Sequence, residues 1–321
     1  LICTTLQSWE DEFVDAFVKE FKIKDLGEPK LLLGMNVEYS RELRKLKLSC
    51  PLTLRKMIAN AGFDDCHTSP SPMSEPKDAD VTEADEDDIG GLDLPSIIGS
   101  LQYAATVCRP DLSLPSSWLG SERHEPTVGG VLNVRKSLRY CKGSLDEGLS
   151  IKHSSGERNS LQASATSDSD WGGDLRHRLR PTGKSRSGAI IRVAGFPVWW
   201  FTKLQTVVAL SSAQAEVNAL TSLCKRLRWV RHLLNEIGIE QGATPVGVDN
   251  QAASTIAKSQ TLSERTRHFA LPELFCRDLH NSGEIQLYHE PTASNESDFC
   301  TKIHPTPKWR ELRNKIMHTT L

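Results

Sequence analysis

Apolar residues recur at steps of three and four in some stretches of this chain and at steps of two in others. In residues 12–21, Phe13, Phe17 and Phe21 fall at i, i+4 and i+8 with Val14 and Val18 alongside, which predicts a helix with one apolar face. Residues 31–37 predict a strand, residues 45–49 its hairpin partner, and residues 52–61 a second helix stopped at Gly62. Periodicity then fades. Between residues 69 and 93, Pro70, Pro72 and Pro76 lead into a run rich in Asp and Glu with almost no large apolar side chains, the composition of a linker. Carboxylates on such a segment lack a scaffold that would hold a metal. Residues 97–107 and 128–140 predict two helices flanking a turn at Arg109-Pro110-Asp111.

After Gly148 the apolar spacing shortens to that of strands. Candidates are residues 149–152, 161–166, 188–193 and 198–202, the last two joined by a turn at Gly195-Phe196-Pro197. The clearest element follows. Ser211 and Gln214 are spaced as a capping box, and Leu220, Leu223, Leu227, Val230, Leu234 and Ile237 follow at alternating steps of three and four up to Gly238. A strand at residues 245–248, a helix opening at Asn250-Gln251, a strand at residues 284–289 and a terminal helix headed by Asp298 complete a mixed α/β pattern.

Composition narrows the function classes. A net charge of −2 exerts no global pull on nucleic acid, so any basic binding surface must be local. The eight cysteines include no C-x-x-C pair, which argues against a zinc site and a disulfide framework. A reducing compartment is expected, intracellular and either cytoplasmic or nuclear. There is no apolar run of membrane-spanning length and no signal-peptide layout, so no membrane partner is expected. The chain begins with Leu1 rather than methionine, which points to a piece of a longer protein.

Four acidic residues stand where carboxylates could converge. Asp168 and Asp170 lie two apart at the end of a strand, before a Gly172-Gly173 turn; Glu216 lies in the first turns of the long helix; Asp249 closes an apolar strand; Asp298 follows the last strand. Each has a bland explanation, a solvated strand end or a helix start favoured by the dipole. Together, carboxylates so gathered repel unless hard cations such as Mg²⁺ or Mn²⁺ hold them, and two ions suit phosphodiester hydrolysis. His268, in the basic stretch Arg265-Thr266-Arg267-His268, is a candidate for proton transfer or product release. Lys225, Arg226, Arg228 and Arg231 could meet a phosphate backbone or simply form the charged outer face of a helix. Trp199 and Trp200 alternate across a strand, so at most one is expected to face the core.

Several motifs in fixed order resemble the reverse transcriptase–RNase H region of copia-type LTR retrotransposon polyproteins. Phe21-Lys22-Ile23-Lys24-Asp25-Leu26-Gly27 with Leu33-Gly34 is similar to the segment after the polymerase active site. Ile98-Gly99-Ser100-Leu101-Gln102-Tyr103, Arg109-Pro110-Asp111 and Leu138-Arg139-Tyr140-Cys141-Lys142-Gly143 resemble the connection region. Ser167-Asp168-Ser169-Asp170-Trp171-Gly172-Gly173-Asp174, Ala209-Leu210-Ser211-Ser212 with Ala215-Glu216, Asp249-Asn250-Gln251, and Asp298 with Thr301-Lys302 resemble the RNase H motifs. Gln214 and Val217 stand where the family has Glu and Tyr, Phe269-Ala270 replace Ile-Asp after His268, and Pro272 falls where a helix is expected.

The resemblance implies an α/β fold, with an RNase H-like mixed sheet flanked by helices in the C-terminal half. A smaller α+β thumb and connection region would precede it. Expected divisions are a thumb-like reverse transcriptase fragment at residues 1–74, an acidic linker at 75–95, a connection segment at 96–155 and the RNase H-like domain at 156–321. Asp168, Glu216, Asp249 and Asp298 would hold two Mg²⁺ or Mn²⁺ ions, with His268 assisting, to cut the RNA strand of an RNA–DNA hybrid endonucleolytically. The polymerase motif is absent, so no DNA synthesis is expected of this stretch; the missing fingers and palm of the parent polyprotein would be a partner. One rival is a binding remnant that holds nucleic acid without cutting, and another is a nuclease or transposase of related fold acting on DNA.

Overall fold

The computed structural model describes residues 7–22, 27–152, 161–173, 182–249 and 270–320. The first half contains α1 (Gln7–Glu20), β1 (Leu31–Leu32), β2 (Met35–Ser40), β3 (Lys45–Ser49), α2 (Pro51–Asn60), the short α3 (Glu86–Ile89), α4 (Leu94–Val107), α5 (Ser113–Ser121), α6 (Val128–Gly143) and β4 (Gly148–Lys152). The second contains β5 (Ala163–Asp170), β6 (Arg186–Val193), β7 (Phe196–Leu204), α7 (Ser212–Glu236), β8 (Thr244–Val248), α8 (Ala270–Asn281), β9 (Ile285–His289), α9 (Thr306–Met317) and β10 (His318–Thr320).

The strands form two sheets, ordered β1-β2-β3-β4-β10 and β7-β6-β5-β8-β9. In the second, β5, β6 and β7 are antiparallel while β8 and β9 run parallel to β5. This is the mixed, helix-flanked sheet of an RNase H-like fold. Both of its faces are covered, and the two-residue period of β6 shows how. Ala189 and Ile191 face the core formed with α7 and α8, whereas Ile190 faces a second core built from α2, α4, α6 and α9. Trp199 and Trp200 follow the same alternation, so each packs against a different core rather than one remaining outside. No described helix is long and apolar enough to cross a membrane.

On α7, Leu220, Leu223, Leu227, Val230 and Leu234 are buried as their spacing predicts. Each such side chain contributes roughly 1.5–3 kcal/mol by leaving water. Ile237, one step further on, is 63% exposed because the helix ends at Glu236 and Gly238 turns the chain at φ +80°. The α1 stripe behaves differently: Phe13, Phe17 and Phe21 stack on one another yet stay exposed.

Several local expectations are corrected. The strand at residues 31–37 is broken by Leu33 and Gly34, both at positive φ, and folds back as a two-residue hairpin between β1 and β2. Ala194 and Gly195, also at positive φ, make the β6–β7 turn, while Phe196 and Pro197 belong to β7, an edge strand where a missing N–H is tolerated. The turn at Arg109 is followed by a helix, α5, whose Pro115 sits in its first turn and therefore does no damage. Pro272 is likewise in the first turn of α8. Asp298 lies in the 3₁₀ helix Glu296–Cys300, and α9 begins only after Pro305, with Pro307 in its first turn, where a missing N–H is tolerated.

In residues 75–95 the acidic side chains cap their own turns, with Asp85 accepting from the Asp88 N–H at 2.8 Å. Arg135 of α6 donates to the Asp88 carbonyl at 2.7 Å, tying this segment to the helices beside it. At the other end of the chain, β10 pairs in parallel with β4, so the final strand joins the first-half sheet.

Candidate metal centre

Asp168 is carried by β5, whose parallel neighbour β8 pairs Ser167 with Val248. That register puts the next residues side by side, Asp168 within β5 and Asp249 just past the end of β8. Glu216 arrives from above on α7. Ser211 caps the helix by accepting from the Gln214 N–H at 3.2 Å, and Gln214 accepts from the Leu210 N–H at 2.7 Å. The return bond of the expected capping box is thus made one residue earlier. Gln205 clamps the helix start to the sheet, donating to Ser187 Oγ and to the Ala215 carbonyl, both at 2.9 Å.

One carboxylate oxygen from each of Asp168, Glu216 and Asp249 lies within 4.8 Å of the others. Glu216 Oε1 accepts from the Ser169 N–H at 3.0 Å and from Ser169 Oγ at 2.8 Å. Its Oε2 is buried without a hydrogen-bond partner. Burial, reinforced by Asp168 and Asp249, pushes the Glu216 carboxyl up to about 9. Burial likewise pushes Asp168 up to about 7, against the pull of Lys302 and the hydrogen bond from Thr301. Asp249 is half-buried and accepts from Thr292 Oγ1 at 3.4 Å. A desolvated carboxylate with an unmet acceptor, beside two others, fits an oxygen-preferring divalent cation. The three residues are capable of coordinating one.

Asp298 is not part of this three-carboxylate group. Its Oδ1 accepts from Lys302 Nζ and its Oδ2 lies 3.3 Å from His304 Nε2. The Lys302 ammonium also stands 3.4 Å from Asp168 Oδ1, and Thr301 Oγ1 donates to Asp168 Oδ2. This approach needs Gly188, the cross-strand partner of Asp168. A Cβ there would lie 2.6 Å from Cys300 Cβ and 2.7 Å from Thr301 Cγ2. Asn295 pins the same segment by donating to the Ser167 carbonyl at 3.0 Å. His268, Asp174 and the helix expected to open at Asn250-Gln251 lie outside the described residues.

The basic cluster on α7 is largely engaged in the fold. Arg231 donates to the Gly242 carbonyl and to Thr244 Oγ1, each at 2.6 Å, and Arg228 pairs with Glu284 at 3.2 Å. Arg226 lies over the rings of Trp199 and Trp229. Sequence reasoning gave no role to Thr301, Lys302, His304 or Gln205. The adjacency of Thr301-Lys302 to Asp298 was a signal for the first two; Gln205, in a connecting loop, had none.

No protein-family model matches the chain. It is 30% identical over 310 residues to the Retrovirus-related Pol polyprotein from transposon RE2 of Arabidopsis thaliana, covering 94% of this chain and 20% of that protein. The chain spans about a fifth of the length of the Pol polyproteins it matches. It is 31% identical over 209 residues to the uncharacterized mitochondrial protein AtMg00810 of Arabidopsis thaliana, covering 65% of this chain and 81% of that one. Among solved structures, RNase H1 from the halophilic archaeon Halobacterium salinarum NRC-1 is 16% identical, with a TM-score of 0.33 over 44% of this chain and 94% of the other.

Proposed function

This chain belongs to the family of the mitochondrial protein AtMg00810 and is a distant homologue of retrotransposon Pol polyproteins, and on that premise we propose that it carries an RNase H site. The reading is a fragment of a copia-type polyprotein that hydrolyses the RNA strand of RNA–DNA hybrids endonucleolytically, with Mg²⁺ or Mn²⁺. The convergence of Asp168, Glu216 and Asp249, with Glu216 Oε2 buried and unpartnered, is the observation that supports it. A divalent ion bound there would supply the charge that polarises a scissile phosphate and lowers the pKa of water. The chain's own contribution is to hold the ligands still: Ser169 orients Glu216, Thr301 orients Asp168 and Thr292 braces Asp249. Choice of RNA over DNA would rest on the 2′-hydroxyl. A polymerase part of the parent polyprotein is the expected covalent neighbour, and the place of action is intracellular, cytoplasmic or nuclear.

The test is cleavage of a labelled RNA–DNA hybrid by the purified chain with Mg²⁺, Mn²⁺ or chelator, beside duplex DNA and duplex RNA. RNA-strand cutting that needs the metal and falls on the order of a hundredfold or more in Asp249→Asn is expected. No cutting by folded protein would leave a binding remnant, and cutting of duplex DNA would point to a different nuclease.

A further inference from the structure

We propose that the Lys302 ammonium is a built-in cation of this centre. It stands where Asp168 and Asp298 would otherwise share a second divalent ion, so the chain takes up one ion, on Asp168, Glu216 and Asp249. The inference rests on the function proposed above and concerns how many ions that site holds.

Three features of the geometry point to it. Lys302 Nζ donates to Asp298 Oδ1 and lies 3.4 Å from Asp168 Oδ1, so one ammonium faces both carboxylates. Its position is set by the backbone, because the Thr301 and Lys302 N–H groups both donate to the Asp298 carbonyl, at 3.2 and 3.1 Å. The remaining oxygens are also engaged: Asp298 Oδ2 faces His304 Nε2, and Asp168 Oδ2 accepts from Thr301 Oγ1. For Asp298 to become a ligand it would have to give up one of two basic partners. The Asp168 carboxylate, by contrast, is shared between the ammonium and the group it forms with Glu216 and Asp249.

Charge supports the same arrangement. Carboxylates this close repel unless neutralised, and an ammonium with three donors can serve two of them at once. A second divalent ion placed beside that ammonium would meet a like charge at short range. The Lys302 side chain is one-third exposed and lines a cleft of about 270 Å³ with Trp118, Asp170, Gly173 and His304. On this argument Lys302 is a positioning residue that sets the charge and spacing of Asp168 and Asp298.

The deciding measurement is the number of Mn²⁺ ions bound by the intact chain, from equilibrium dialysis with free Mn²⁺ read by electron paramagnetic resonance. Wild type and Lys302→Arg are expected to bind one ion. Lys302→Met, or Lys302→Gln should the first variant not fold, is expected to gain a second. Two ions on the wild type, or a single ion of unchanged affinity on the uncharged variants, would overturn the role of Lys302 while leaving the metal centre in place. No Mn²⁺ on wild type, or one that persists in the Asp168→Asn/Glu216→Gln double variant, would overturn the metal reading itself and this inference with it.

Discussion

Arg109 and Asp111 are buried as fully as Asp168 and Glu216, and the two clusters resolve that burial in opposite ways. Arg109 donates to both oxygens of Asp111, at 2.7–3.2 Å, and to the carbonyl and hydroxyl of Ser144, each at 2.8 Å. Tyr140 donates to Asp111 as well, and Arg313 of α9 donates to the Tyr140 hydroxyl at 2.8 Å. Burial works against the Asp111 carboxylate, yet Arg109, with help from Arg313 and Tyr140, more than offsets it and holds the group below its ordinary value. Charge and hydrogen bonds close on themselves, and the result ties the last helix to the first half of the molecule. The acidic centre has three carboxyls close together, an orphaned oxygen, and two of those carboxyls pushed upward. A compensated buried pair holds structure together; an uncompensated group is poised for a ligand.

The largest effect on stability is expected from breaking the compensated cluster. Asp111→Asn leaves Arg109 charged and buried and should cost about 3–5 kcal/mol in urea unfolding. Glu216→Gln removes charge from a place that disfavours it and should raise the melting temperature of the metal-free chain. If both substitutions destabilised alike, the contrast between the clusters would be lost.

The pH dependence sharpens the same contrast. Asp111 has a lowered folded value, so its contribution is present above its ordinary 3.8 and is lost as pH falls through the lowered one. Asp168 and Glu216 are raised, from 3.8 to about 7 and from 4.5 to about 9. Stability tied to their protonated forms is present below the ordinary values and is lost as pH rises through about 7 and then about 9. The metal-free chain should therefore melt progressively lower between about pH 5 and about pH 9. Excess Mn²⁺ should flatten that fall, and a curve unaffected by Mn²⁺ would count against the centre.

Gly188→Ala should push Cys300 and Thr301 away from β6 at a cost of about 1–3 kcal/mol, lowering hybrid cleavage while leaving the Arg109 pair intact. Ser211→Ala removes the cap that starts the Glu216 helix. It should cost about 1 kcal/mol in thermal unfolding, the smallest of these changes.

How much was legible beforehand varies by element. The α7 stripe announced both the helix and its buried face, because five apolar residues at helical spacing leave little choice. The Phe13, Phe17 and Phe21 stripe announced a helix equally well, yet its face stays exposed. Periodicity specifies local geometry; burial needs a partner. The helix α5 went unread because Ser-Leu-Pro-Ser-Ser carries weak helical propensity, and its Leu114, Trp118 and Leu119 are held by packing instead. The start of α9 was legible in Pro305 and was misplaced toward Asp298.

The sequence by itself determined the long helix α7 and its apolar face, most strands of the second sheet, and the four acidic positions. Those follow from interactions within a few residues along the chain. Only the tertiary structure decided which carboxylates meet. Asp168 and Thr301 are 133 positions apart, and their contact depends on Gly188 admitting a 3₁₀ segment against the sheet. The placement of Lys302 between Asp168 and Asp298, and the exclusion of Asp298 from the three-carboxylate group, arise from the same approach. Local propensity has no term for such a meeting, because its energy exists only once distant strands have paired.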